Sequence, residues 1–413
     1  MRKKLLSLLL LVFASGQAQN VQGIYGDFNW FNNWTNFKPK TQDYAAPNRI
    51  LNGEIGENTT LKKGNTYLIM GSVYVVNGAT LTLEPGVVMR GDSESNGTLI
   101  ITKGSKIKAE GTETDPIIFT SNKGTSDRKS GDWGGIIIYG DAPVNRYGGI
   151  VSSIYDPNPK YNLFGGNNEN SDSGVLKYVR IEFAGKKLNE KTMLNGLTLG
   201  AVGKKTKIEY VQISMAKDDG LEVVGGVFDM NNIISFQNAD DDFDFSMGAV
   251  CTMSNSIAIR NPYISDNTRS RVMEIDTYDK LENFDPTRKK TVVKLNNVTM
   301  VSNEDNAMGL VKEAISVKTD SFVEINKCVI SGFASVIAMD DKYLEKENYK
   351  QVKVVNSVIN NCTEVITNEN LVKAETQSDW FTQKDKVNSI TKISNINIFK
   401  SNDVRKKPDF RLK

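Results

Sequence analysis

Carboxylates are the side chains through which this chain could do chemistry, and they gather in short stretches. "MAKDDGLEVVGG" (215–226) carries Asp218, Asp219 and Glu222, and "QNADDDFDFSMG" (237–248) carries Asp240, Asp241, Asp242 and Asp244. A third run, "VMEIDTYD" (272–279), adds Glu274 and Asp276. Oxygen-only donor sets of this kind suit calcium, which takes roughly six to eight oxygens at about 2.3–2.6 Å. Two carboxyls held at a fixed separation would equally serve as the acid and base of a glycoside hydrolase. A solvated, salt-bridged edge uses the same residues and performs no chemistry.

The composition removes many alternatives. The 413 residues include no histidine, which excludes every mechanism built on a histidine base and nearly all zinc sites. Three scattered cysteines (Cys251, Cys328, Cys362) are too few for a disulfide framework and read as small buried hydrophobes. Residues 1–18 have the charged start, apolar run and small-residue exit of a secretory signal peptide, so the chain is expected to be exported. Without the three basic residues of that leader, 48 basic residues face 49 acidic ones. A near-neutral surface is a poor partner for nucleic acid. No later run is apolar enough to cross a membrane as a helix.

The elements that must position the acids are short. β-branched runs alternate with Gly and Asn turns, as in "GATLTLEPGVVMRG", "PIIFTS" and "WGGIIIYG". A repeat aligns on Tyr178, Tyr210, Asn232, Asn255, Asn297, Lys327 and Asn356, with its shortest periods in the low twenties. Such periods with variable insertions predict an all-β solenoid, a right-handed parallel β-helix, and a ladder of stacked turn asparagines. The expected layout is an aromatic-rich N-terminal cap at 19–63, then a β-helix over 64–413 with long loops near 141–174 and 260–292. Within the cap, Trp30 and Trp34 are candidate platforms for sugars.

The runs "GATLTLEPGVVMRGD", "GTLIITKGSKIKAEGTETDPIIFTS", "GDWGGIIIYGDAPVN", "NGLTLGAVGKKTKIEYVQIS" and "DDDFDF" together resemble a family of secreted right-handed parallel β-helix proteins of Bacteroidota. Many members are cargo of the type IX secretion route and carry a C-terminal sorting domain. No such domain is evident before the end at "KPDFRLK". The resemblance implies a fold and an exported address, at the cell surface, outer membrane or periplasm, and no common reaction.

The register of the repeat bears directly on the acids. Asp219 and Asp241 lie equally far past Tyr210 and Asn232, as do Glu222 and Asp244, so these carboxylates are expected to stack about 4.8 Å apart on successive coils. Asp219, Glu222, Asp241, Asp244, Glu274 and Asp276 then form a candidate calcium site. Lys186 and Lys187 fall in phase with Asp218 and Asp219 one coil earlier, and a lysine–aspartate ladder would neutralise the charge without metal.

Three functions stay open. The first is a non-enzymatic interaction protein docked on an envelope or outer-membrane component. The second is a calcium-dependent polysaccharide lyase, with Lys186, Lys187, Arg269 or Arg271 as base, or a hydrolase using Asp219 and Asp244. The third is an adhesin or glycan binder.

Overall fold

The computed structural model describes residues 21–26, 30–156, 158–266, 269–302, 309–318, 320–340, 346–368, 370, 372 and 380–413; the leader lies outside them. β-branched runs punctuated by Gly and Asn favour strands over helices. Among the described residues 28 strands join one continuous sheet system whose pairings are parallel, and helix is almost absent. Thr80–Leu83, Val88–Gly91 and Thr98–Ile101 make one coil. Lys106–Glu110, Ile117–Ser121 and Gly135–Tyr139 pair with them in order, so each coil lays its three strands on those of the last. The pattern continues to Glu364–Asn368, giving the parallel β-helix that the repeat predicts.

Side chains alternate across every strand, and the inward set fills the space between the three faces. Leu197, Leu221, Phe243, Met273 and Ile315 follow one another in register along one inner row, all fully buried. Cys251 and Cys328 lie in the same core, as small hydrophobes should.

All seven repeat markers, Tyr178 to Asn356, have φ between 44° and 57°. Asparagine recurs there because it tolerates the left-handed region better than most residues. The asparagine ladder is only partial: Asn356 Nδ2 donates to Asn326 Oδ1 (3.1 Å), and Asn326 Nδ2 to Asn296 Oδ1 (3.2 Å). Elsewhere the turn amides hold the N-terminal segment. Tyr25 N–H donates to Asn255 Oδ1 (2.9 Å), and Asn297 Nδ2 donates to the Val21 carbonyl (2.6 Å). Asn297→Ala is expected to cost about 1 kcal/mol, from the lost bonds and the left-handed backbone together, and Asn297→Gly less. Urea denaturation of the pair separates the two causes, since equal costs would leave the hydrogen bonds alone responsible.

The aromatic segment does not close the end of the coil. Trp34 and Phe31 are buried in a second cluster with Ile234, Phe236, Ile257 and Ile259, along the outside of one face. Trp34 meets Tyr178 edge-on (centroids 5.8 Å), and Tyr178 stacks on Tyr210 (4.5 Å). The segment is a strap laid across several coils, and the first coil strand already begins at Arg49, inside the expected cap. A buried Trp34 offers no platform to a sugar.

The loop expected at 260–292 resolves into two excursions on either side of the strand Met273–Ile275. The second excursion meets the insertion at 141–174. Asn145 Nδ2 donates to the Thr277 carbonyl (2.6 Å), Asp285 N–H to the Asn145 carbonyl (2.8 Å), and Arg146 pairs with Asp279 (2.7 Å).

Candidate functional site

Three consecutive strands of one face, Leu221–Val224, Phe243–Ser246 and Met273–Ile275, read "LEVV", "FDFS" and "MEI". Leu221, Val223, Phe243, Phe245, Met273 and Ile275 point inward, which forces Glu222, Asp244 and Glu274 outward. The pairing places these three carboxylates in register, Glu222 beside Asp244 and Asp244 beside Glu274. Asp276 follows Glu274 with its N–H on the Phe245 carbonyl (2.8 Å).

The turns feeding these strands carry the remaining acids and stack in the same way. Gly196 N–H donates to the Asp219 carbonyl, and Gly220 N–H to that of Asp241, both at 2.8 Å. Side chains strengthen the stack: Asp241 N–H donates to Asp219 Oδ1 (3.1 Å), and Arg271 N–H to Asp241 Oδ1 (2.5 Å). Asp218, Asp219 and Asp240 can each place an oxygen within 4.8 Å of the others. All six expected ligands therefore share one strip of surface, but the tightest group includes Asp218 and Asp240, which the six leave out.

Burial and like charge act together on these groups. Burial, then the charge of Asp240, pushes Asp218 up to about 8. Burial lifts Glu222 to about 7 and Asp276 to about 6. Asp219, Asp241 and Asp244 are held well above the ordinary carboxylate range, first by burial and then by one another and their acidic neighbours. Asp244 Oδ1 is buried without a hydrogen bond. A buried, unpaired carboxylate oxygen amid other carboxylates is costly unless it is protonated or meets a cation. Asp218, Asp219 and Asp240 are the hard oxygen donors that could hold a cation here, and such an ion would supply positive charge to the strip.

The lysine–aspartate ladder does not form. Lys186 Nζ donates to the Ser93 carbonyl (2.9 Å), the Lys187 backbone forms an antiparallel bridge with Met193, and no ion pair joins either lysine to Asp218 or Asp219 among the described residues. Arg271 pairs with Glu274, and Arg269 with Glu313, so these candidate bases are engaged by carboxylates. Asp242 belongs to the interior, where it faces Arg260 (3.5 Å), both fully buried.

The residues that composition and spacing miss come from the insertions. Tyr155 Oη donates to Glu222 Oε1 (2.8 Å), and Asn195 Nδ2 to Glu222 Oε2 (2.9 Å). Phe164 stacks on Tyr139 (5.1 Å), and Tyr74 Oη donates to Asp156 Oδ1 (2.8 Å), which fastens the 141–174 insertion over the same face. Between insertion and face lies a pocket of about 190 Å³, lined by Glu222, Val224, Phe164, Met247, Ile154 and the Arg146–Asp279 pair.

A family model described as a pectate-lyase-like beta helix domain matches residues 53–405. No curated protein and no solved structure matches.

Proposed function

The chain belongs to the pectate-lyase-like beta helix domain family, and from this membership and the geometry we propose a non-enzymatic interaction protein of the cell envelope whose acidic strip is held by calcium. One observation carries the reading. The two insertions brace each other over the acidic face and turn large apolar side chains to solvent: Ile154 is 69% exposed, Leu281 65% and Tyr147 61%. Clustered exposed apolar residues on a rigid support favour docking on another protein. The acids, by contrast, are engaged with the fold. Both oxygens of Glu222 accept hydrogen bonds, and Asp219 and Asp241 each cap a backbone N–H of the next coil. The pocket of about 190 Å³ falls short of the roughly 300–1,000 Å³ of ordinary ligand clefts, and so is small for a polysaccharide segment.

A second reading, action on a polysaccharide, draws on the family description and on Glu222, lifted to about 7 beside Asp244. Purification of the tagged protein from its native envelope in mild detergent tests the two together. The expected result is co-elution with a membrane-associated protein in fixed ratio. Ile154→Asp with Leu281→Asp should release that partner at unchanged melting temperature. Elution alone, with new unsaturated or reducing ends on a polysaccharide panel, would replace docking by catalysis.

A further inference from the structure

The pocket beside Glu222 lies where the acidic strip meets the apolar rim, and has a shape and charge of its own. Its walls are largely apolar, with Phe164 and Val224 buried in the cluster that fastens the insertion, and Met247 packed against it. Its polar end is Glu222. That carboxylate accepts bonds from Tyr155, Asn195 and Thr198, while a carboxylate has room for about four. Behind Glu222 stand Asp244 and Glu274 in the same row, with Arg271 paired to Glu274. The cation on the wall, Arg146, is taken by Asp279 at 2.7 Å.

A narrow apolar channel ending in an acid is complementary to an ammonium on an aliphatic stem. We propose that this pocket receives a lysine side chain of a protein partner. The stem lies against Phe164, Val224 and Met247, and the ammonium donates to Glu222. A sugar ammonium would set hydroxyls against Phe164, Val224 and Met247, leaving Ser152, Ser153, Thr198 and Ser246 of the lining to meet them. At the mouth stands the highly exposed Ile154, itself part of the lining, so an inserted lysine is ringed by apolar contact that excludes water. The inference rests on the docking reading above and names the chemistry of its anchor.

The test uses the mature full chain in calcium and titrates Nα-acetyl-lysine methylamide, followed by NMR shifts of residues around the pocket. Saturable binding is expected. It should weaken by about tenfold or more for the Nε-acetylated probe and for Glu222→Gln. Val224→Phe, which fills the channel without touching the carboxylate, should abolish it at unchanged melting temperature. Equal binding of the free and acetylated probes, or no saturable binding, would overturn the assignment. Tighter binding of glucosamine would transfer the site to a glycan and overturn the protein partner. A silent probe alongside a co-eluting partner removes the pocket and leaves docking intact. A bound probe with no co-eluting protein keeps the lysine site and removes the envelope partner.

Discussion

Stripped of divalent cations, the protein is expected to become less stable as the pH rises from 5 to 8.5, and calcium is expected to restore it. The sign follows from the acidic strip. Asp218, Glu222 and Asp276 titrate at about 8, 7 and 6 in the folded chain, and Asp219, Asp241 and Asp244 are also raised. In the unfolded chain such groups titrate near 3.9 to 4.3. Between the two values the folded state binds more protons, so its stability falls with rising pH. The contribution is fully present below about pH 4 and is lost once each folded value is passed. A tenfold difference in proton affinity between the folded and unfolded states corresponds to about 1.4 kcal/mol, so even the partial titration of a few coupled groups costs about 3 kcal/mol or more across the window.

Calcium acts on the ionised form, and at about a hundred times its dissociation constant it returns about 2.7 kcal/mol. Melting curves in chelator and in calcium at pH 5, 7 and 8.5 check both halves. The chelated protein should melt several degrees lower at the alkaline end, and the calcium gain should grow with pH. Asp244→Asn removes one charge and exchanges one of the two carboxylate oxygens for an N–H donor that neighbouring carboxylates can accept. It should therefore stabilise the chelated protein at pH 8.5 while shrinking its calcium response. A chelated protein whose stability is flat or rising with pH would mean that the acids ionise at no cost. No response to calcium at any pH would reject the metal site.

How much of this was legible in the sequence depends on whether a residue belongs to a coil or to an excursion. Within coils, counting works: the 22-residue offset from Tyr210 to Asn232 places Glu222 beside Asp244, because parallel strands stack like on like. Once an excursion begins, phase is lost. Lys186 and Lys187 count correctly from Tyr178 but sit past the end of the strand Gly174–Glu182, where the chain has left the coil, and Lys186 reaches Ser93 instead. Tyr155 and Asn195 meet Glu222 across 67 and 27 residues, through loops with no periodic signal. The strap shows the same division. Its aromatic density announces burial, but whether the rings close an end or lie along a flank is set by Tyr178, Tyr210 and Phe236, which supply the matching surface.

The motif "GDWGG" is legible as a turn whose tryptophan plugs a coil, and it carries the largest single-residue effect expected. Trp133 is fully buried, and its Nε1 donates to the Glu182 carbonyl at 2.7 Å. The ring leaves no room for a side chain at position 91, since a Cβ on Gly91 would stand 2.4 Å from Trp133 Cγ. Trp133→Ala is expected to cost about 3–5 kcal/mol, from lost contacts and the cavity that a stacked coil cannot close. Gly91→Ala alone should cost about 1–3 kcal/mol by overpacking.

The two changes should not add. With the ring gone, the new methyl group is relieved of the ring atoms but still meets the Cβ of residue 133 at 2.5 Å, so the double variant should cost less than the sum of the two single changes. Equilibrium denaturation of the four proteins closes the cycle, and additive costs would show that ring and glycine do not share the space. The coupling reaches the pocket as well. Trp133 leads directly into the strand Gly135–Tyr139, and Tyr139 is the residue on which Phe164 of the insertion stacks. Loosening the plug should therefore weaken lysine-probe binding at Glu222 in Trp133→Ala at temperatures where the coil is still folded, whereas a pocket indifferent to that substitution would place its support entirely in the insertions.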